Sequence, residues 1–304
     1  MAATVLTAAL AAVSGCAAAP APRPHATASL SPALRDSAAS AVLTSDATTL
    51  RQHWQLKNAE QLLIQQCMLK RGLPYHTTGS GPEPEAGATT ADTTGTASPP
   101  LYAITAPPVS TVGGMTAQDR YVHSLTSTAQ AGYLAAYSGP DTRTETLALP
   151  SGAVVRYLIG GCEGQARAEL YGSVRAAVSD SLVPQDVNQQ FDTFLATNRP
   201  YQSALAAWRR CMAQSGWQAT TPTNAIQASQ SLADTSGSRT DAVAKRQSSE
   251  VAADIRCDTA SDLRGTRTEQ RNTFVHHLPT RTRDWLAQTE QAKLQALRRI
   301  PRTA

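Results

Sequence analysis

The clearest pattern in the chain is a helical spacing of apolar residues between positions 46 and 71. Leu56, Ala59, Leu63 and Cys67 recur at intervals of three and four, which places them on one face of an α-helix. Basic residues at the end of this segment, and a glycine and a proline just beyond it, fit a helix C-terminus. The pattern therefore predicts a helix over 46–71.

The motif that ends this segment occurs twice in the chain. Residues 67–72 and 211–216 both read Cys-Met-x-x-x-Gly, and glycine suits the left-handed conformation at a helix end. Each motif is followed later by a Cys and an acid, Cys162-Glu163 and Cys257-Asp258. We interpret this as a two-part helical protein with one disulfide in each part.

The rest of the apolar pattern is also mostly helical. Further helices are predicted over 116–137, about 163–179, 186–198, 200–215, 241–264 and 264 to about 299, the last with a break at Pro279. Looser alternation at 144–149 and 153–158 around Pro150-Ser151-Gly152 predicts a β-hairpin. The expected fold class is mainly α, a disulfide-stapled helical protein with at most one small β-hairpin at about 144–158.

The first residues form a short apolar run that ends in Val13-Ser14-Gly15-Cys16 and resembles a bacterial lipobox. The run is too short to span a bilayer as a mature helix. In such signals the Cys becomes the new N-terminus and carries the lipid. No Lys or Arg precedes Cys16, which departs from the usual basic start, and an Ala-rich tail with a chance Cys is the alternative. We expect a lipoprotein signal peptide over 1–15 and lipidation at Cys16.

Composition divides the remaining chain. Residues 16–45 are rich in Ala, Pro and Ser, and are predicted to be a disordered tether. The first helical part covers 46–185 and contains a long disordered loop at 76–115, rich in Gly, Pro and Thr. The second helical part covers 186–304.

The number of cysteines supports export. The chain has five Cys, so removing Cys16 leaves four, as expected for paired disulfides in an oxidising compartment. Four Cys allow three connectivities. We favour Cys67–Cys162 and Cys211–Cys257, because each pair links a Cys-Met-x-x-x-Gly helix to the Cys-acid segment of its own half.

No catalytic motif stands out. The chain has no G-x-S-x-G, S-x-x-K, P-loop or G-x-G-x-x-G sequence, and no Cys/His spacing typical of zinc. His276 and His277 are adjacent, so on a helix they point apart and cannot easily share a metal. The carboxylates that could act as acid and base are Glu163, Glu169, Glu250 and Asp254. We expect ion pairs for them instead, with arginines such as Arg167 or Arg246.

Two tryptophans and a basic C-terminal segment are further candidates for a binding surface. Trp208 and Trp217 are expected to pack around the second disulfide; a carbohydrate platform would need them exposed. From residue 264 to the end there are nine Lys or Arg and three acids. A basic helical end of this kind could rest on anionic lipid or a cell-wall polymer, or simply be solvated. The possible basic surface comprises Arg264, Arg267, Arg271, Arg281, Arg283, Arg298 and Arg299.

Several sequence blocks in order resemble a group of uncharacterised secreted proteins and lipoproteins from Streptomyces and related actinobacteria. The blocks are Tyr121-Val122 with Ser124-Leu125, Leu149-Pro150-Ser151-Gly152, Gly161-Cys162-Glu163 through Ala166-Arg167 to Leu170-Tyr171-Gly172, Trp208-Arg209-Arg210-Cys211-Met212 with Gly216, and Glu250, Ala253-Asp254 and Cys257. The resemblance implies a lipid-anchored, disulfide-bonded surface protein and supplies no activity.

The expected function is accordingly a non-enzymatic binding or interaction module, held at the extracytoplasmic face of the cell membrane by lipid on Cys16. Its partner would be a cell-wall polymer or another envelope protein, and an exported protein is not expected to meet nucleic acid. We expect no cofactor and no metal. The alternative is a cell-wall-acting hydrolase that uses paired carboxylates. A cleft with two or more buried carboxylates would favour the hydrolase, whereas acids paired to bases would favour the module.

Overall fold

The computed structural model describes residues 31–44, 47–77, 115–141, 143–225, 228 and 241–300. The predicted signal peptide, Cys16 and most of the predicted loop at 76–115 lie outside these residues. Within them the fold is mainly helical with one small β-hairpin, as predicted. Its helices include α1 (Pro32–Val42), α2 (Ala47–Lys70), α3 (Ala117–Ser124), α4 (Ser127–Ser138), α5 (Gly161–Tyr171), α6 (Val174–Thr197), α7 (Arg199–Gln214), α8 (Asp241–Ser261), α9 (Leu263–His277) and α10 (Thr280–Arg299).

The predicted apolar face of α2 is confirmed. Leu56, Ala59, Leu63 and Cys67 are all buried in one core cluster, which also takes residues from α4, α5 and α10. The helix ends where the sequence indicates, because Gly72 adopts a positive φ of 72° just beyond Lys70.

The β-hairpin is confirmed with nearly the predicted bounds. Strand β1 (Thr144–Ala148) pairs antiparallel with β2 (Val154–Leu158), from Thr144 opposite Leu158 to Ala148 opposite Val154. Leu147 is fully buried against α6, and Tyr157 of β2 packs against the same cluster, so the hairpin covers that helix with apolar side chains from both strands.

Helix α5 begins at a position that only glycine can occupy. Gly161 has a φ of 64°, and a Cβ placed there would lie 2.3 Å from the carbonyl oxygen of Tyr137. A side chain would therefore separate α5 from the end of α4. This close approach requires the chain to turn sharply at Gly160-Gly161 as it enters α5.

The predicted tether is wrong for residues 32–42. They form α1, which begins with Ser31 as N-cap and Pro32 in the first turn. Ala39, Val42 and Leu43 are buried against residues of α6, α9 and α10. A short segment with few bulky residues can fold here because the rest of the molecule supplies the apolar partner surface.

Several predicted element bounds are also wrong. The predicted helix at 116–137 is two helices that break at Leu125 and Thr126. Another break falls at Asp262, the one non-glycine residue with positive φ in the described part of the chain. The predicted gap between the helices at 163–179 and 186–198 is also misplaced. The chain breaks at Gly172 instead, and α6 continues without a break through Pro184. Val183 and Val187 are fully buried on either side of that proline, so packing outweighs its helix-breaking tendency.

The predicted division at residue 185 does not separate two folding units. Helix α6 runs across it without a break. The C-terminal helix α10 returns to the first half, where Ala296 joins the core cluster around α2 and α5. The chain order of the two disulfides therefore does not mark two separate domains.

Candidate functional site

Both disulfides join the cysteines that the sequence favours. Cys67 bonds to Cys162 between α2 and α5, with the Cα atoms 5.5 Å apart, and Cys211 bonds to Cys257 between α7 and α8, with the Cα atoms 5.4 Å apart. Each links the end of a Cys-Met-x-x-x-Gly helix to a later helix, as predicted. Paired disulfides indicate an oxidising, extracytoplasmic compartment.

Beside the second disulfide lies a buried polar cluster that contains one of the candidate acids, Asp254. The indole Nε1 of Trp208 donates a hydrogen bond of 2.9 Å to Asp254, which is 1% exposed. Arg264 pairs with the same carboxylate at 2.5 Å and with Asp258 at 3.4 Å. The expected ion pair of Asp254 is therefore present, with Arg264 as the partner instead of Arg246.

The pKa of Asp254 is raised by burial, although the Arg264 charge and the Trp208 hydrogen bond act to lower it. A carboxyl with a raised pKa is what a general acid requires. Here, however, the carboxylate oxygens bond to Trp208 and Arg264, and the side chain lies in the core. The geometry is that of a support for the disulfide region.

The first disulfide has a comparable network. Arg167 on α5 lies 2.8 Å from Glu163 and 2.9 Å from Glu60 of α2, so the expected pairing of Glu163 with Arg167 is confirmed. Burial raises the pKa of Glu163 against the lowering effect of Arg167. Glu169, the next candidate acid, is exposed, while Glu250 is buried on α8. Glu250 lies one turn from Asp254 on α8, whereas Glu163 and Glu169 lie on α5.

Both tryptophans pack in the core around the second disulfide, as expected for a structural role. Trp208 is fully buried in the cluster around Cys257, and Trp217 is partly buried against the same cluster. The guanidinium carbon of Arg246 lies 5.5 Å from the Trp217 ring centroid.

The seven arginines of the possible basic surface mostly serve the fold. Arg264, Arg267 and Arg283 pair with aspartates, while Arg271 and Arg299 donate to Thr44 and to the Leu170 carbonyl. Arg281 and Arg298 are exposed. Five of the seven side chains are therefore held by groups of the chain itself.

The histidines do not share a site. His276 is exposed and lies 3.6 Å from Asp36, whereas Nδ1 of His277 is 2.6 Å from the Thr273 carbonyl of its own helix. Over the described ranges, no group of three His, Cys, Asp or Glu residues could hold a metal ion.

A cleft that sequence reasoning missed lies between α1, α2, α9 and α10 and has a volume of about 590 Å³. This size falls within the range of about 300–1,000 Å³ that is usual for small-molecule sites. One wall is formed by the polar side of α1 and by Thr44 just beyond its end. That wall consists of Asp36, Ser37, Ser40, Ala41 and Thr44.

The other walls are also polar. The start of α2 contributes Thr48, Thr49 and Gln52, and α9 contributes Asn272 and Val275. Of the described lining residues, Ala41 and Val275 are the apolar ones and none is aromatic. A lining of this kind suits a ligand that carries hydrogen-bonding groups over most of its surface.

A buried ion pair on α10 completes the lining. Lys293 Nζ lies 2.6 Å from Glu290 Oε2, and both side chains are about nine-tenths buried. Asp180 of α6 lies close enough for the Lys293 charge to lower its pKa, but burial dominates and raises that pKa. Tyr171 donates a 2.9 Å hydrogen bond to the same carboxylate.

Ion pairs also hold the α1 wall in place. Asp36 accepts from Arg283 of α10 at 2.7 Å, and the neighbouring Arg35 pairs with Asp284. Ser40 donates to Asn272 of α9 at 3.0 Å. The cleft therefore depends on α1 being docked.

Comparisons with known proteins add no assignment: no protein-family model, curated protein or solved structure matches this chain. Within the described ranges, no helix combines the length and the apolar character needed to cross a membrane.

Proposed function

We propose that this chain is an exported, lipid-anchored envelope protein that binds a small polar molecule in the cleft between α1, α2, α9 and α10, without chemical conversion. The observation that carries the proposal is the lining of the cleft, in which ten of the twelve described residues carry a hydroxyl, a carboxamide or a charged group. Such groups recognise a polar ligand through hydrogen bonds.

The pairing of the acids supports binding over the hydrolase alternative. The two carboxylates that line the cleft, Asp36 and Glu290, pair with Arg283 and Lys293. A glycosidase needs one carboxyl as a proton donor and a second as base or nucleophile on opposite sides of the scissile bond. Carboxylates that are already neutralised by bases are poorly suited to either task.

The lipid anchor rests on the lipobox-like sequence before Cys16 and on the export that the disulfides indicate. Helix α1 begins sixteen residues after Cys16, so the anchor would connect directly to a wall of the cleft.

Thermal unfolding with a panel of polar small molecules tests the binding proposal. The panel contains neutral sugars, amino acids, inorganic phosphate and a polyamine. A ligand at about 100 times its Kd stabilises a protein by about 2.7 kcal/mol, which corresponds to several degrees in Tm. We expect at least one class to raise the Tm of the wild type.

Two matched variants locate the effect. Ala41→Trp fills the cleft from an exposed position on α1, whereas Ala33→Trp places the same side chain on the same helix away from the lining. The stabilisation should be lost in Ala41→Trp and kept in Ala33→Trp. If no class stabilises the wild type, or if both variants respond as the wild type does, the cleft is not the binding site.

A further inference from the structure

The charges in the cleft are already satisfied, which bears on the ligand that it can take. Asp36, Glu290 and Lys293 are the charged members of the described lining. Asp36 is paired with Arg283, and Glu290 with Lys293. A ligand with a net charge would have to displace one of these partners or sit beside a charge of its own sign.

The groups without a partner are neutral. The side chains of Ser37, Thr48 and Gln52 line the cleft and form no hydrogen bond with any part of the chain that the structure describes. Hydroxyl and carboxamide groups both donate and accept hydrogen bonds. They can therefore pair with ligand hydroxyls, which also donate and accept hydrogen bonds.

From this arrangement we infer that the ligand of the cleft is a neutral, polyhydroxylated molecule of the size of a short oligosaccharide. The inference rests on the proposed binding function and names its ligand class. The volume of about 590 Å³ admits such a molecule. Recognition would come from hydrogen bonds at Ser37, Thr48 and Gln52, without aromatic stacking.

The test is isothermal titration calorimetry on the full chain with maltose and N,N′-diacetylchitobiose as neutral probes. Inorganic phosphate, glutamate and putrescine serve as charged probes. At least one neutral probe should give saturable heat with the wild type and none with Ala41→Trp. Both sugars carry hydroxyls, and only N,N′-diacetylchitobiose carries acetamido groups that Gln52 and Asn272 could recognise.

A double variant tests the assigned groups. Ser37→Ala with Thr48→Val removes two hydroxyls that make no bond within the described chain, so the Tm of the free protein should not change. Loss of one hydrogen bond costs about 0.5–1.5 kcal/mol, so the affinity for the neutral probe should fall by about tenfold or more for the pair. Thr128→Val, an exposed threonine on α4, is the matched control and should bind as the wild type does.

Two results would overturn the inference, and they differ in their consequence. If only charged probes bind, and Ala41→Trp abolishes that binding, the ligand class is wrong while the binding function stands. If no probe of either kind binds, and the thermal panel also shows no stabilisation that depends on Ala41, both the ligand class and the binding function fail.

Discussion

At the scale of single residues, burial raises the pKa of several acids. Asp180 of α6 faces Lys293 of α10 and accepts a hydrogen bond from Tyr171. Burial raises its pKa above the ordinary value of 3.8, against the lowering effects of that hydrogen bond and of the Lys293 charge. The folded chain therefore holds this proton more tightly than the unfolded chain.

This difference predicts a pH-dependent stability. The contribution of Asp180 is fully present below pH 3.8, and it is lost as the pH rises through the raised pKa of the folded state. Asp180→Asn should flatten this part of the curve of Tm against pH. Tyr171→Phe removes a hydrogen bond that lowers the pKa, so the fall in stability should extend to higher pH.

Thermal unfolding from pH 3 to pH 8 measures both effects. Burial also raises the pKa of Glu163, Asp254 and Asp258, and they titrate in wild type and variants alike, so the difference between the curves isolates Asp180. Identical pH profiles for wild type and Asp180→Asn would show that Asp180 does not titrate abnormally.

At the scale of elements, the sequence predicts helices well where their own residues supply the apolar face. The face of α2 is an example, because Leu56, Ala59, Leu63 and Cys67 are large enough to mark it. Helix α1 was missed because Ala39 carries little hydrophobic signal, although Ser31-Pro32 is a helix-start pattern. Continuity of α6 through Pro184 could not be predicted either, since it depends on packing from distant helices.

The cleft itself has no local signal in the sequence. Its lining comes from four helices between Asp36 and Lys293, and most of its residues are small and polar. In the sequence, Ser37 lies in a segment whose composition indicates a tether, and Thr48 lies at the start of a predicted helix. Only the docking of α1 turns them into the wall of a binding site.

Docking of α1 can be tested at a buried position. Ala39 is fully buried against α6, α9 and α10, so Ala39→Asp would place an uncompensated charge in that contact. We expect α1 to undock, with faster amide hydrogen exchange over 32–43 and loss of ligand stabilisation. Ala33→Asp, on the exposed side of the same helix, should leave both unchanged. Unchanged protection of α1 in Ala39→Asp would contradict the docked arrangement.

At the scale of the whole molecule, the disulfides join helices that are distant in sequence. Cys67 and Cys162 are 95 residues apart, and Cys211 and Cys257 are 46 apart. A cross-link stabilises mainly by restricting the unfolded chain, and more so for a longer loop. The cores around both disulfides are also linked by α6 and α10, so the halves should not unfold independently.

Removal of one disulfide should therefore weaken the whole molecule. We expect Cys67→Ala with Cys162→Ala to lower the free energy of unfolding by about 2–5 kcal/mol. Urea unfolding, followed by far-UV circular dichroism and by Trp fluorescence, measures this. The four tryptophans lie on α2 (Trp54), on α7 and just beyond it (Trp208 and Trp217) and on α10 (Trp285), so fluorescence and circular dichroism both follow the whole molecule. Coincident transitions would show that it unfolds as one unit. Two separate transitions would contradict the single folded unit.

The intact mass of the protein tests the proposal of an exported, lipid-anchored protein most directly. The full-length chain is expressed in an actinobacterial host, extracted from the membrane fraction and weighed before and after reduction. The predicted species begins at Cys16, carries the mass of a lipid there, and gains four hydrogens on reduction of two disulfides. An uncleaved chain with unmodified Cys16, or four free thiols before reduction, would contradict it.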